Sequence, residues 1–316
     1  MEEIIELKNP EHFRILLGNR DKNLRLIRNA FAVKAVARDG RVRLIGEKED
    51  VIRAKSLVQR LLATIAEEGK LRESDVDLAL RTVREKKAEP VSEEKIEISG
   101  KNVYVRAQTA GQVEYIQAMR SSDLVFSIGP AGTGKTYLAV AMAINALRSG
   151  QMKKIVLARP AVEAGEKLGF LPGDMVAKIN PYLRPLYDAL HDMMEFSQIK
   201  RYMDNDLIEV IPLAFMRGRT LNDAFIILDE AQNTTALQMK MFLTRMGMRC
   251  HIVVTGDVSQ IDLPTGEVSG LKEAERLFKN IAGVEFIYLT RRDIVRHRLV
   301  SEIVKAYERD GRARGL

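Results

Sequence analysis

The sequence predicts an α/β protein, a parallel sheet covered by helices on both faces, with a smaller α+β unit in front of it. Three observations carry that reading. From Asp123 onward, short apolar runs alternate with helical stretches. One of those runs leads through a glycine-rich turn directly into a helix. Residues 1–82 show a different order, β-α-α-β-β-α.

The N-terminal unit reads as follows. A short strand, Ile4–Leu7, precedes a helical stretch from Glu11 to about Phe31, broken near Gly18. Val33–Arg38 and Arg41–Gly46 are β-type segments joined by Asp39-Gly40, a good hairpin turn. From about Asp50 to Glu67 the apolar residues Val51, Ala54, Val58, Leu61, Leu62 and Ile65 recur with helical spacing. This order resembles that of a type I KH domain. Such a domain grips nucleic acid with a Gly-x-x-Gly loop between its first two helices, where close backbone approach needs glycines. Here the position reads Gly18-Asn19-Arg20-Asp21, without a second glycine. Arg20, Lys22 and Arg25 remain as candidates for contact with RNA, and an oligomerising or docking role is the alternative.

Residues 83–100 are the expected linker, rich in charge and carrying Pro90. Lys95–Ile98 and Asn102–Arg106 look like a hairpin opening the second domain, which spans 101–316. Its apolar runs are Leu124–Ile128, Ile155–Ala158, Leu207–Ile211, Phe225–Leu228, Ile252–Thr255 and Val284–Leu289. Runs without polar alternation suit strands buried on both faces. Strands alternating with helices imply a parallel sheet.

Composition bounds the function. The chain has 316 residues, 46% hydrophobic and 29% charged, an ordinary globular balance. Its one cysteine, Cys250, excludes a disulfide framework and a Cys-rich zinc module. The four histidines show no metal-ligand spacing. The N-terminus is acidic and unlike a signal peptide, and no stretch is apolar enough to span a bilayer. A cytoplasmic protein without a membrane partner is expected. The net charge is +7. Eight basic residues stand against two acidic ones between Arg20 and Arg43, and eight against four from Arg291 to Leu316. Both concentrations suit a polyanion such as nucleic acid, or are solvated helix faces and a frayed tail.

The chemistry centres on Gly129-Pro130-Ala131-Gly132-Thr133-Gly134-Lys135-Thr136, a complete G-x-x-x-x-G-K-T phosphate-binding loop between a strand and a helix. Its glycines let backbone N–H groups turn toward phosphate oxygens, and the helix N-terminus adds positive partial charge. Lys135 suits the β- and γ-phosphates, and the Thr136 hydroxyl suits Mg²⁺. Ala224–Gln232 delivers Asp229 and Glu230 at the C-terminal end of an apolar strand, with Asp229 93 residues beyond Thr136. Asp229 suits the Mg²⁺ shell, and Glu230 suits orienting or deprotonating water. Gln260, after Thr255-Gly256-Asp257, suits the γ-phosphate or the attacking water. Gln112, upstream of the loop strand, suits an adenine edge, since its amide donates and accepts.

Together these motifs resemble those of superfamily-1 helicases, and more closely a PhoH-family ATPase across nearly the whole chain. Ala158-Arg159-Pro160, Gly169–Asp174, Pro181–Asp188, Met216–Thr220 and Asp293–His297 add to the match. Arg298 stands where the family pattern usually has proline. The resemblance implies a RecA-like P-loop NTPase sheet, with a small N-terminal α+β (KH-like) domain. It implies ATP hydrolysis with Mg²⁺ linked to RNA metabolism, and some relatives are associated with a YbeY-type endoribonuclease.

Fifty-four residues follow Asp262, too few for a second RecA-like lobe of about 150 residues. An arginine finger is therefore expected from the chain's own tail or from a neighbouring subunit, with Arg296 the first candidate and Arg217 and Arg219 next. A homo-oligomer follows, with a ring as one form. Ala161–Asp206 is long for a crossover and is expected to hold helices lining a nucleic-acid path or a subunit contact, or to be a structural insertion. Two other functions stay open: a small-molecule kinase sharing the loop, and a nucleotide-dependent scaffold recruiting a ribonuclease. Glu230 and Gln260 weigh against the kinase, which must keep water away.

Overall fold

The computed structural model describes residues 1–7, 9–72, 94–99, 103–160, 175–264 and 266–295, with isolated positions at 75, 76, 79, 80, 83, 299, 300, 303 and 307. The chain divides into two compact units, Met1–Pro90 and Val91–Leu316.

The first unit runs β1 (Glu2–Glu6), α1 (Pro10–Leu17), α2 (Lys22–Phe31), β2 (Lys34–Arg38), β3 (Arg41–Ile45) and α3 (Lys48–Glu68). Its antiparallel sheet has the order β1-β3-β2. Strand alternation places Ala35, Val42 and Leu44 against Leu24, Ile27, Leu57 and Leu61 of the helices. The other face carries the charges. Arg41 pairs with Glu6 and Arg43 with Glu2, so β1 neutralises two of the basic residues between Arg20 and Arg43. Asn9 caps α1 through its side chain. Between α1 and α2 the backbone φ is positive at Gly18, Arg20 and Asp21. The turn therefore forms without a second glycine, at some conformational cost at Arg20 and Asp21.

The second unit opens with a hairpin, β4 (Lys95–Ser99) and β5 (Val103–Arg106). There follow α4 (Ala110–Ser121), β6 (Leu124–Ile128), α5 (Lys135–Arg148), β7 (Lys154–Arg159), α6 (Met175–His191), α7 (Phe196–Asp204), β8 (Ile208–Pro212), β9 (Ala224–Leu228), α8 (Ala236–Leu243), β10 (His251–Gly256), α9 (Gly270–Phe278) and β11 (Val284–Tyr288). Six strands form a parallel sheet in the order β11-β6-β10-β9-β7-β8. Each begins and ends within about one residue of its apolar run; the central strands are buried on both faces, while the edge strands β8 and β11 are partly exposed and carry Glu209 and Glu285.

Alternate residues feed two cores. Val125, Ile155, Leu157, Phe225, Ile227 and Val253 face α4, α5, α6 and the hairpin. Phe126, Val156, Ile226, Leu228, Ile252 and Val254 face Met239 and Phe242 of α8 and Leu271 of α9. Cys250 is buried, as a small apolar residue would be. Among the described residues no helix is long and apolar enough to cross a membrane, and no group of three or more His, Cys, Asp or Glu is placed to hold a metal ion.

His251, at the start of β10, packs its ring 4.7 Å from that of Phe225, and its Nε2 is buried without a hydrogen-bond partner among the described residues. Burial pushes its pKa down to about 4, against a smaller raising effect from Asp123. Folding therefore excludes a proton here. The contribution of His251 is complete above the unfolded pKa of 6.5 and is lost as pH falls toward 4. Stability should fall by about 1.4 kcal/mol per pH unit across that window. Urea unfolding of the wild type and His251→Phe, followed at intervals through it, should show that slope removed in the variant.

Candidate active site

The two motif strands are not neighbours: β6 and β9 flank β10. All three end on the same side, where open parallel sheets bind ligands. Asp229 follows β9 and is 5% exposed. Its Oδ1 accepts the hydroxyl of Thr136, in the first turn of α5, at 2.6 Å. The same oxygen accepts the hydroxyl of Thr255 on β10 at 2.7 Å. Thr255 is fully buried, and its grip on Asp229 is a tertiary feature that the strand pattern alone does not reveal.

The loop itself has left-handed backbone at Gly132 and Gly134. Gly129 allows a close approach of another kind, since a Cβ there would collide with the Leu289 carbonyl. Lys135 Nζ donates to the carbonyls of Gly129 (2.6 Å) and Pro130 (2.9 Å), and the Thr133 hydroxyl also donates to Pro130. A cation laid across a loop at a helix N-terminus gives the positive field that a phosphate chain needs. Ala131 is exposed on its rim.

Helix α4 grips the loop from behind. Gln112 Nε2 donates to Thr133 O (3.1 Å), and its Oε1 accepts from Gln108 N (2.6 Å). The Tyr115 hydroxyl donates to Lys135 O at 3.2 Å. Burial holds the Tyr115 phenol well above its ordinary pKa, so it stays a donor. On the other side, Val295 N donates to Gly132 O at 2.9 Å. Asp293 joins the two supports, accepting from Thr109 at the cap of α4 (2.6 Å) and from the backbone and hydroxyl of Thr290.

Glu230 adopts a left-handed backbone, φ 52°, and leads into a tight turn over Ala231–Asn233. Its carboxylate is held at both oxygens. Arg159 Nη2 lies 3.3 Å from Oε1, and Gln232 Nε2 donates to Oε2 at 2.6 Å. Gln232 is 1% exposed. It also donates to Gln260 O and accepts from Asp257 N, so it links the ends of β9 and β10. Gln260 lies at the surface with its amide on Asp257 Oδ2, at 3.0 Å.

The structure thus brings together Gln112, Gly129–Thr136, Asp229, Glu230 and Gln260. Arg296 lies outside the described residues, as do Gly169–Asp174 and Arg298. Arg219 is engaged elsewhere: Glu209, on the second residue of β8, takes both its terminal nitrogens, at 2.8 and 3.0 Å. Arg217 is exposed. In the N-terminal unit Arg20, Lys22 and Arg25 are exposed, and Arg25 reaches back to the Arg20 carbonyl at 3.0 Å. Three residues to which the sequence assigns no role, Thr255, Gln232 and Arg159, hold the acidic pair. Their signal is a polar or charged side chain closing an apolar strand or following its acidic end.

The family model described as PhoH-like protein matches residues 104–308. A PhoH-like protein of Bacillus subtilis is 49% identical over 307 residues, covering 96% of each chain. One from Mycobacterium tuberculosis is 51% identical over 298 residues, 93% of this chain and 84% of its own. The chain belongs to the PhoH family. The family's reach extends to Protein PhoH of Escherichia coli, 37% identical over 265 residues, 83% of this chain and 74% of the relative. The matched region contains the whole acidic pair and phosphate loop, and the resemblance drawn from those motifs is confirmed.

Gly129→Ala should destabilise the protein by about 3 kcal/mol, since the added methyl meets a backbone carbonyl that cannot rotate away. Thermal unfolding of the variant beside wild type measures this, and an unchanged melting temperature would contradict the close contact with Leu289.

Proposed function

We propose that the chain binds ATP with Mg²⁺ at Gly129–Thr136 and hydrolyses it, with turnover linked to RNA. The observation carrying this reading is the shared carboxylate: Asp229 meets the Thr136 hydroxyl beside the loop, with Glu230 next in sequence. Lys135 exchanges the Gly129 and Pro130 carbonyls for phosphate oxygens. A divalent ion held by Thr136 and Asp229 neutralises phosphate charge when bound. Glu230 orients or deprotonates the attacking water, and Gln260 assists at the γ-phosphate. Gln112 meets the adenine edge, and its bond to the loop joins base recognition to loop shape. The anchoring of Val295 on Gly132 supports Arg296 as the arginine that completes the site from the chain's own tail.

For RNA, the support is the exposed basic turn Arg20, Lys22 and Arg25, together with the resemblance to KH domains. A homo-oligomer and a YbeY-type endoribonuclease partner belong to the same proposal and rest on the family resemblance.

The deciding measurement is Mg²⁺-dependent phosphate release from ATP, with and without poly(U) RNA. Glu230→Gln should retain ATP binding and lose about 10²- to 10⁴-fold in kcat. Lys135→Ala should lose binding as well. Wild type releasing phosphate no faster than Lys135→Ala even with RNA present would sink the ATPase reading, and turnover indifferent to RNA would sink the coupling.

A further inference from the structure

Arg159 closes β7 beside β9, and its guanidinium spans two partners. Nη1 donates to the Tyr182 carbonyl in α6 at 3.1 Å, and Nη2 lies 3.3 Å from Glu230 Oε1. Its side chain is 19% exposed against 37% for Glu230, so the pair is partly shielded from water. Pro181 and Pro185 lie inside α6. Pro185 has no N–H to offer the Pro181 carbonyl one turn back, so the helix lacks one ladder bond there. The Tyr182 carbonyl is the next in line. A planar guanidinium with several donors suits such bridging, which an ammonium serves less well.

A carboxylate that activates water must aim a free lone pair at that water, and each oxygen keeps one after accepting a single hydrogen bond. Here Oε1 faces Arg159 and Oε2 accepts from Gln232. Those two contacts fix the direction of the carboxylate. We infer that Arg159 is a positioning residue that latches Glu230 to helix α6 and slows hydrolysis until α6 shifts. The inference rests on the reading of Glu230 as the group that activates water. It makes α6, between β7 and β8, the handle of the latch. A partner that moves the proline-containing turn of α6 draws Arg159 away and frees Glu230.

The experiment compares full-length wild type, Arg159→Ala, Arg159→Lys, Glu230→Gln and the Arg159→Ala/Glu230→Gln double variant, all with Mg-ATP and no nucleic acid. Arg159→Ala should raise kcat roughly three- to tenfold, with KM for ATP unchanged within about twofold. Arg159→Lys should fall between it and wild type, and serves in its place if the alanine variant does not fold. The double variant should be as slow as Glu230→Gln, because the gain passes through that carboxylate. A wild type without turnover beside an active Arg159→Ala also supports the latch. An active wild type with an equal or slower Arg159→Ala overturns the latch alone. Silence from wild type and both Arg159 variants overturns the latch, and the ATPase reading falls as well only if all three stay silent with poly(U) RNA added.

Discussion

One carboxylate oxygen organises this site. Asp229 Oδ1 accepts hydroxyls from Thr136 and Thr255, and those three residues belong to three different segments of the sheet's C-terminal edge. The strand order makes the arrangement necessary. With β10 between β6 and β9, the two motif strands stand about 10 Å apart, twice the usual strand spacing. An aspartate leaving β9 must cross that gap to meet a side chain beyond β6. Thr255, on the middle strand, fixes it on the way. Asp229 N also donates to Ala158 O at 2.9 Å, which pins its backbone to β7 on the far side. The aspartate is therefore held from every strand around it, and its direction is settled before any ligand arrives.

The phosphate loop depends on a second set of contacts. A glycine-rich loop loses more conformational entropy on ordering than most segments. Here the loss is met by donors placed outside the loop: Gln112, Tyr115 and Val295 each reach one of its carbonyls. Asp293 binds the two sources together, so α4 and the segment after β11 act as one clamp. The clamp leaves the Gly129 and Pro130 carbonyls to Lys135. A bound phosphate chain has to compete with those two bonds for Lys135, so affinity is set by a difference and not by the ammonium's full attraction for phosphate.

How much of this is legible in the sequence follows from where the information lies. The strands of the second unit are readable because burial on both faces demands unbroken apolar runs, and Ile252–Thr255 or Phe225–Leu228 satisfy no other pattern as well. The placement of Lys135, Thr136, Asp229 and Glu230 at one sheet end follows from spacing plus strand direction. Thr255 and Arg159 stand inside recognisable motifs without showing a role, because what they touch is decided by strand order, and strand order is a tertiary property. Gln112 shows a different limit. Its amide chemistry is evident, yet its partners Gln108 N and Thr133 O depend on how α4 lies against the loop. In the N-terminal unit the order of elements is legible, while the left-handed Arg20 is not, since arginine does not favour that conformation; Asp21 is of a type that visits it more readily.

The backbone at Glu230 explains why two adjacent carboxylates serve separate partners. In a continuing strand, successive side chains point to opposite faces, and the chain moves away from both. The left-handed turn at Glu230 stops that advance and brings Gln232, two residues on, to within 2.6 Å of the carboxylate. Such a conformation costs a non-glycine residue about 1–2 kcal/mol. The cost is sustained by the packing beneath it. Ala231, Gln232 and Asn233 are buried, the Thr234 hydroxyl bonds Ala231 O, and the Ser269 hydroxyl bonds Gln232 O. Gly270 N then ties Thr234 O to the start of α9. The turn is thus stabilised from α9, on the opposite side of the sheet from α5 and α6. Asp229 is fixed by β10 and α5, while Glu230 is exposed at one end to whatever moves Arg159. Separate anchoring lets the first carboxylate stay still while the second changes partners.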